Sequence, residues 1–224
     1  MTTTRSRIDE GRDYAHERTL MVDRFVVARG ITDQRVIQAM REVPRHLFVP
    51  QMVAAKAYGA SALPIGAKQT ISQPYIVARM IELLGLTGKE KVLEIGTGTG
   101  YQTVVLSKIC ARVFSIERIN ELALRAAELI REMKIYNATV KVFDGTYGWS
   151  DQAPFDRIIV AAAAPSVPEP LVQQLARTGR LVIPIGPEGN QKLARVTRVG
   201  TGVQIEDCGS AEFVPLVGRF GWKE

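Results

Sequence analysis

The sequence predicts an α/β fold in which a doubly wound, mostly parallel sheet has an antiparallel edge and follows a set of N-terminal helices. Strand-like runs alternate with helical runs after Gly88, and this alternation is typical of parallel α/β sheets. The strand-like runs are apolar on both sides, as expected where helices cover both faces of a sheet. The last two strand-like runs have no convincing helix between them, which predicts the antiparallel edge.

The first part of the chain is predicted to be mostly helical. Residues 1–10 are polar and are expected to fray. A helix is expected over residues 14–28, with apolar residues on one face and Gly30 after its end. A second helix is predicted to begin at an N-cap, Thr32. It should end before Pro44, because the residue that precedes a proline avoids helical angles.

A long irregular connection covers residues 45–73, which prolines and glycines punctuate. Connections of this length within a compact domain are often functional. A third helix is expected to start at Pro74, since proline suits the first helical turn, and to close at Gly85. We expect one compact domain, in which a helical and loop segment of residues 1–88 packs on a core of residues 89–224.

The remaining strands and helices follow in regular order. The strand-like runs are Lys91–Ile95, Arg112–Ile116, Thr139–Phe143, Arg157–Ala161, Arg180–Ile185, Lys192–Val199 and Gln204–Leu216. The helical runs are Tyr101–Cys110, Glu121–Lys134 and Pro170–Ala176. The last two strands are expected to finish one edge of the sheet.

Composition narrows the function classes. No apolar run approaches the roughly 18 residues that a membrane helix needs, and no apolar stretch follows the N-terminus, so we expect a cytoplasmic protein with no membrane partner. The net charge is +6, but acids are interleaved with the basic residues, which argues against a nucleic-acid partner. Cys110 and Cys208 lack neighbours at metal-ligand spacing, so reduced thiols and no metal are expected.

The most informative run extends from Val92 to Tyr101 and reads VLEIGTGTGY. It predicts a buried strand, a glycine-rich turn and the start of a helix, because glycines let the backbone approach a ligand closely. A dinucleotide fingerprint needs a third glycine at Tyr101, and a P-loop needs a following Gly-Lys-Ser/Thr, so both patterns fail. Glu94, just before the turn, suits a cationic, amine-bearing ligand better than a pyrophosphate.

Two more acids end the next strands. Glu117 lies about 20 residues after Gly96, where a carboxylate can accept both hydroxyls of a ribose. Asp144 is followed by Gly145 and is placed to bind an adenine amino group. With the glycine turn, these acids predict an adenosine-type cofactor at the carboxyl end of the sheet.

The glycine pattern resembles the first motif of S-adenosylmethionine methyltransferases. The segment Leu63–Pro74, which reads LPIGAKQTISQP, closely resembles the protein-L-isoaspartate O-methyltransferase family, and so do Val43–Pro50 and Phe213–Val217. The resemblance runs over most of the chain. It implies a Rossmann-like S-adenosylmethionine methyltransferase fold. It also implies methylation of L-isoaspartyl carboxylates in damaged proteins, which begins their repair.

The resemblance also assigns the site. It implies that Ser72 is the active-site residue, although a helix cap before Pro74 is an alternative role for this serine. The expected cofactor-binding residues are Gln69, Thr70, Ile71, Ser72, Glu94, Gly96, Thr97, Gly98, Gly100, Glu117, Asp144 and Gly145. The chain departs from the family at Tyr58–Ala62, where members often carry an aspartate and this sequence has no acid.

The implied chemistry accounts for the lack of a catalytic triad. A carboxylate has a reference pKa of about 4 and is ionised at neutral pH, so it needs no general base to attack a sulfonium methyl. Ser72 is expected to orient the acceptor by hydrogen bonding while the site excludes water, not to act as a covalent nucleophile. His16 and His46 fall outside any triad pattern and are expected to be packing or surface residues.

Three other functions are compatible with a methyltransferase fold. A nucleic-acid N-methyltransferase usually has a polar residue and an aromatic ring after the fourth strand, for stacking a flipped base, but this chain has Ala163–Ser166 there. A small-molecule methyltransferase stays open until substrates are tested. An adaptor that keeps the fold without catalysis also stays open, since fold alone does not prove activity, but the intact glycine motif and Ser72 argue against it.

Overall fold

The computed structural model describes residues 14–223, so the predicted fraying of residues 1–10 lies outside the described part of the chain. The first helix, α1 (Tyr14–Phe25), is shorter than predicted. The chain continues as a 3-10 turn over Val27–Arg29, and Gly30 then takes a left-handed conformation with φ of 93°. The glycine therefore ends the helical stretch as predicted, but the last turn is tighter than an α-helix.

The second helix, α2 (Gln34–Glu42), begins at a different cap from the predicted one. Asp33 is the N-cap, and its carboxylate accepts a hydrogen bond from the backbone amide of Arg35 at 2.9 Å. The prediction of Thr32 was wrong because a tertiary contact engages that residue. Its amide and its hydroxyl both donate to Oε1 of Glu82, at 2.8 and 3.4 Å.

The connection over residues 45–73 is more regular than predicted. Two 3-10 turns and a two-stranded hairpin occupy it: Arg45–Phe48, Gln51–Lys56, β1 (Leu63–Gly66) and β2 (Gln69–Ile71). The hairpin turn places Ala67 and Lys68 at φ of 49° and 56°, angles that glycine or asparagine normally supplies. The turn therefore carries none of the residues by which a hairpin is usually predicted.

The third helix, α3 (Pro74–Leu84), starts at the predicted proline and ends at Gly85, whose φ of 63° is left-handed. Two arginines from the sheet bind its last carbonyls. Nε of Arg157 donates to the Leu84 carbonyl at 2.6 Å, and Nη1 of Arg180 donates to it at 3.5 Å. Cations at a helix C-terminus offset the partial negative charge of its free carbonyls, so the two arginines hold α3 against the sheet.

A seven-stranded sheet forms the centre of the molecule. Its strands are β3 (Lys91–Ile95), β4 (Arg112–Glu117), β5 (Ala138–Val142), β6 (Phe155–Val160), β7 (Leu175–Ile185), β8 (Gln191–Val199) and β9 (Gly202–Ala211). Across the sheet they lie in the order β5-β4-β3-β6-β7-β8-β9. The first five pair in parallel, whereas β8 and β9 pair antiparallel. The predicted doubly wound sheet with an antiparallel edge is confirmed.

Three helices connect the parallel strands: α4 (Tyr101–Ser107), α5 (Asn120–Glu132) and α6 (Glu169–Gln173). The last is shorter than the helix predicted over residues 170–176, because β7 already begins there. The final strand ends at Ala211, well before the predicted Leu216, because the chain leaves the sheet and returns over its carboxyl end. There the backbone amide and carbonyl of Ala163 pair with Val214 and Leu216, both at 2.8 Å.

Side chains of the central strands alternate between two hydrophobic layers. One layer, which includes Val92 and Val113, packs with α1 to α5. The other layer includes Leu93 and Phe114 and packs with α6 and with Leu216 of the segment that follows β9. Both faces of the central strands are therefore covered, and the ends of these strands form an edge that a ligand can reach.

Replacement of Arg157 by methionine is expected to lower the free energy of unfolding by about 1–2 kcal/mol, because the end of α3 loses a charged donor. The shift of the urea midpoint measures this loss. Arg177→Met is the matched control, because Arg177 is exposed on the same strand as Arg180. Equal midpoints for the two variants would contradict the role given to Arg157.

Candidate active site

A cavity opens at the carboxyl ends of β3 and β4, between the hairpin and the C-terminal segment. The expected site residues that line it are Gln69, Thr70, Ile71, Ser72, Gly96, Thr97, Gly98, Glu117 and Gly145. Glu94, Gly100 and Asp144 do not line it. The hairpin and the glycine turn thus line one cavity. Three of the predicted site residues lie outside its lining.

The glycine turn is held on the sheet by its own backbone. Gly96, Gly98 and Gly100 have left-handed φ angles of 91°, 54° and 87°, which side chains rarely adopt. The amides of Gly96 and Thr97 donate to the carbonyl of Ile116 at the end of β4, at 2.8 and 3.3 Å. This pairing fixes the turn beside β4 and leaves its outer side facing the cavity.

Two of these glycines are favoured for different reasons. A Cβ atom at Gly98 would lie 3.7 Å from Cδ1 of Ile65 on the hairpin, an ordinary contact, so it is the left-handed φ of 54° that favours glycine there. A Cβ atom at Gly100 would lie 3.3 Å from Cβ of Ala126. Gly100 therefore lets α4 pack closely on α5, which explains why it does not line the cavity.

Glu117 presents its carboxylate to the cavity at the end of β4. Oε2 accepts the amide of Gly98 and Oε1 accepts the amide of Ile119, both at 2.9 Å. The residue is only 7% exposed, so its orientation is set by these two bonds. Each carboxylate oxygen has a second lone pair, which leaves both oxygens able to accept a ligand hydroxyl.

Glu94 lies beneath the turn and is fully buried. Thr103 and Ser115 donate their hydroxyls to Oε2 at 2.5 and 2.6 Å, and Gln102 donates its amide to Oε1 at 3.0 Å. The Ser115 hydroxyl also lies 2.5 Å from that of Thr97 in the turn. Burial raises the pKa of Glu94 to about 7, even though the three hydrogen bonds lower it. Glu94 is thus linked to the glycine turn through the hydroxyls of Ser115 and Thr97.

Asp144 follows β5, and its carboxylate binds the C-terminal segment. Oδ1 accepts the amide and hydroxyl of Thr146 at 2.9 and 2.7 Å, and Oδ2 accepts the amide of Arg219 at 2.9 Å. The next residue, Gly145, lines the cavity. A Cβ atom there would collide with the side chain of Ile95, so the close packing at this position requires glycine.

Ser72 lies between β2 and α3 on the cavity lining. The N-cap of α3 is Gln73, and no side chain caps this helix, so the alternative role of Ser72 as a helix cap is not observed. Within the described part of the chain its hydroxyl has no hydrogen-bond partner, whereas its carbonyl accepts a bond from Arg45 at 2.8 Å. The hydroxyl is therefore available to a ligand.

Arg45 and Tyr101 pack behind Ser72, and no sequence motif predicts a role for either residue in the site. Arg45 is fully buried, and its Nε donates to the carbonyl of Ala57 at 2.9 Å. Its guanidinium carbon lies 4.9 Å from the centre of the Tyr101 ring, which lines the cavity. The signal for Arg45 was its place in Val43–Pro50, a stretch that resembles the family but points to no role for the arginine.

The remaining polar groups give no sign of a triad or a metal centre. His46 stacks on Tyr14 with ring centres 4.0 Å apart, and its Nδ1 lies 2.7 Å from Oη of Tyr58. These contacts make His46 a packing residue, and burial lowers the pKa of its imidazole. Among residues 14–223 there is no cluster of metal-binding side chains, and no helix there is long and apolar enough to cross a membrane.

The chain matches a family model and close relatives over most of its length. The model for protein-L-isoaspartate(D-aspartate) O-methyltransferases matches residues 16–221. The chain is 53% identical to protein-L-isoaspartate O-methyltransferase 2 of Geotalea uraniireducens, across 92% of this chain and 95% of the relative. It is 51% identical to protein-L-isoaspartate O-methyltransferase of Geobacter metallireducens, across 94% of this chain and 97% of the relative.

Two solved structures share the fold at 25% identity. A protein-L-isoaspartate O-methyltransferase superimposes with a TM-score of 0.83, across 92% of this chain and 67% of its own. A β-aspartate methyltransferase of Plasmodium falciparum, in complex with S-adenosyl-L-homocysteine, superimposes with a TM-score of 0.76, across 88% of this chain and 96% of its own. On sequence and structure alike, this chain belongs to the protein-L-isoaspartate(D-aspartate) O-methyltransferase family.

Proposed function

We propose that this protein transfers a methyl group from S-adenosyl-L-methionine to the free carboxylate of L-isoaspartyl residues in damaged proteins, which begins their repair. The observation that carries the proposal is a single cavity that joins the glycine turn, Glu117 and the Ser72 segment in a chain of this family. The Plasmodium falciparum relative binds S-adenosyl-L-homocysteine, which is what remains of the cofactor after it has given up its methyl group.

The lining fits S-adenosylmethionine in its chemistry, and when bound this cofactor supplies an electrophilic methyl group on a sulfonium. The carboxylate of Glu117 keeps two lone pairs for the ribose hydroxyls. Gly145 and the apolar stretch Val214–Val217 give the adenine ring a flat apolar wall. Gln69–Ser72 closes the cavity from the hairpin side. We assign Glu94, Gly100 and Asp144 the supporting role of holding these lining residues in place.

The acceptor chemistry needs little from the chain beyond geometry. The isoaspartyl carboxylate is ionised at neutral pH, since its reference pKa is about 4. With the cofactor bound, one carboxylate oxygen would take the methyl group as the carbon–sulfur bond breaks, and the chain would need to move no proton. The free hydroxyl of Ser72 donates a hydrogen bond that holds the carboxylate in line, and apolar neighbours such as Ile65 and Val214 exclude water.

The surroundings of β6 favour a carboxylate acceptor over a nucleobase amine. Ala163 and Ala164 follow this strand, are fully buried, and offer neither a polar side chain nor an aromatic ring. The C-terminal segment covers them, because the amide of Ala163 donates to the carbonyl of Val214 at 2.8 Å. A flipped base therefore finds no stacking partner at this position.

We also propose that the protein works in the cytoplasm. Cys110 and Cys208 are both free thiols, which suits a reducing compartment. Burial raises the pKa of Cys110 to about 12, so this thiol is unreactive at neutral pH.

Methyl transfer to a short isoaspartyl peptide tests the proposed function. With labelled S-adenosylmethionine, label is expected on the isoaspartyl peptide and not on the matched aspartyl peptide. Mild base should release this label as methanol, because a methyl ester hydrolyses readily. Tight cofactor binding without transfer to either peptide would point to another acceptor or to an inactive adaptor.

Substitutions at Ser72 and Gly98 are expected to affect different steps, methyl transfer and cofactor binding respectively. Ser72→Ala should lower kcat for the isoaspartyl peptide by roughly 10–100-fold, through loss of one hydrogen bond to a charged group. Its affinity for S-adenosyl-L-homocysteine should not change. Gly98→Val should abolish cofactor binding instead, because valine is strained at φ of 54° and fills the space beside Ile65.

The matched controls come from exposed positions outside the cavity. Ser61→Ala lies in the same connection as Ser72, and Gly202→Val lies where a Cβ atom meets nothing within 4 Å. Both are expected to bind cofactor and turn over normally. For all four variants, calorimetry measures cofactor binding and steady-state kinetics measure methyl transfer. Normal methylation by both Ser72→Ala and Gly98→Val would contradict the roles given to these two residues.

Glu94 is expected to give stability a dependence on pH. Its pKa of about 7 in the folded chain lies above its ordinary value of 4.5, so the folded state holds a proton that the unfolded state releases. Stability should therefore fall as the pH rises from 4.5 to 7 and level off above this window. Glu94→Gln should lack this fall, and urea midpoints from pH 5 to 8 measure it; parallel profiles for the two proteins would refute the effect.

A further inference from the structure

Arg45 is a buried cation without a carboxylate partner in the described part of the chain. Removal of a guanidinium from water is costly unless other groups replace its hydration. Here burial lowers the pKa of Arg45, yet arginine keeps its charge in proteins. Such a residue needs an explanation, and its contacts supply one.

The guanidinium joins the two ends of the segment that carries the hairpin. Nε donates to the carbonyl of Ala57 at 2.9 Å, and Nη2 donates to the carbonyl of Ser72 at 2.8 Å. Residues 57–72 include β1 and β2, whose Ile65 approaches the glycine turn at Gly98. One rigid, planar fork therefore sets the position of both ends of this segment.

The other side of the guanidinium faces Tyr101, the first residue of α4. The ring centre lies 4.9 Å away, and Phe48 packs edge-on against the same ring at 5.4 Å. Among residues 14–223, Nη1 of Arg45 and Oη of Tyr101 find no hydrogen-bond partner, although both atoms are buried. The ring lines the cavity directly after the glycine turn, so Arg45 lies between the hairpin segment and the cofactor side of the site.

We propose that Arg45 is a positioning residue that holds Ser72 at a fixed distance from the glycine turn, so that its hydroxyl meets the acceptor carboxylate in line with the methyl donor. The inference rests on the proposed function for its effect on turnover. It rests on the structure alone for its effect on residues 57–72. A lysine keeps the charge but cannot bridge both carbonyls in one plane.

Arg45→Lys is the test variant, and Arg29→Lys is its matched control. Arg29 also lies over a tyrosine ring, 3.8 Å from the centre of Tyr75, but it is exposed. In Arg45→Lys, hydrogen exchange over residues 57–72 is expected to become faster. Its kcat/KM for the isoaspartyl peptide should fall by roughly tenfold or more, with unchanged affinity for S-adenosyl-L-homocysteine. Arg29→Lys should change none of these quantities.

A double-mutant cycle separates positioning from a general loss of structure. If Arg45 acts through Ser72, Arg45→Lys should lower turnover far less in the Ser72→Ala background than in the unaltered chain. An equal loss in both backgrounds, or normal exchange over residues 57–72, overturns the proposal. If Arg45→Lys fails to fold, Tyr101→Leu is the second test variant. This variant keeps the charge of Arg45 but removes the ring that packs against the guanidinium. It should produce the same faster exchange over residues 57–72.

The two levels of the inference can fail separately. If the unaltered protein methylates no isoaspartyl peptide, the proposed function fails, while the exchange measurement still decides whether Arg45 holds residues 57–72. If the unaltered protein is active and Arg45→Lys matches it in both exchange and kcat/KM, the proposed function stands and the positioning role is wrong.

Discussion

The parallel pairing of β3 with its two neighbours is the constraint on which the rest of the site depends. Ile95 lies opposite Ile116 on one side and Val160 on the other, so three strands reach the same edge together. Both faces of these three strands are covered, so it is their ends that can meet a ligand. The glycine turn leaves β3 at this edge and returns at once to pair with the carbonyl of Ile116. Every other part of the cavity is placed relative to that turn.

Two acids close to the turn illustrate how burial divides their work. The carboxylate of Glu117 is oriented by backbone amides and faces the cavity, whereas that of Glu94 is surrounded by side chains below it. Their proximity matters, because the negative charge of Glu117 adds to the burial that raises the pKa of Glu94. Protonation of Glu94 below this pKa removes a second negative charge from under the turn. The deeper acid thus supports the geometry of the turn, and the outer acid faces the cavity.

The sequence predicted the parts of the molecule whose signals are local. Apolar runs marked the strands, and the glycine spacing marked the turn, because each depends on neighbours along the chain. The hairpin was missed because Ala67 and Lys68 take left-handed angles in the turn that joins β1 to β2, and neither residue type signals such angles. Arg45 was missed for a related reason. Its partners, Ala57 and Ser72, are backbone carbonyls distant in sequence, and no side-chain pattern records such a contact.

Asp144, which follows β5, also has a partner that is distant in sequence and that no local pattern reveals. Oδ1 accepts hydrogen bonds from the amide and hydroxyl of Thr146, and Oδ2 accepts one from the amide of Arg219. These bonds tie the C-terminal segment to the residue beside Gly145, which does line the cavity. Each oxygen has limited capacity left, and Oδ1 already accepts two donors. Asp144 therefore fixes the returning chain beside Gly145, so a residue outside the lining still shapes the cavity.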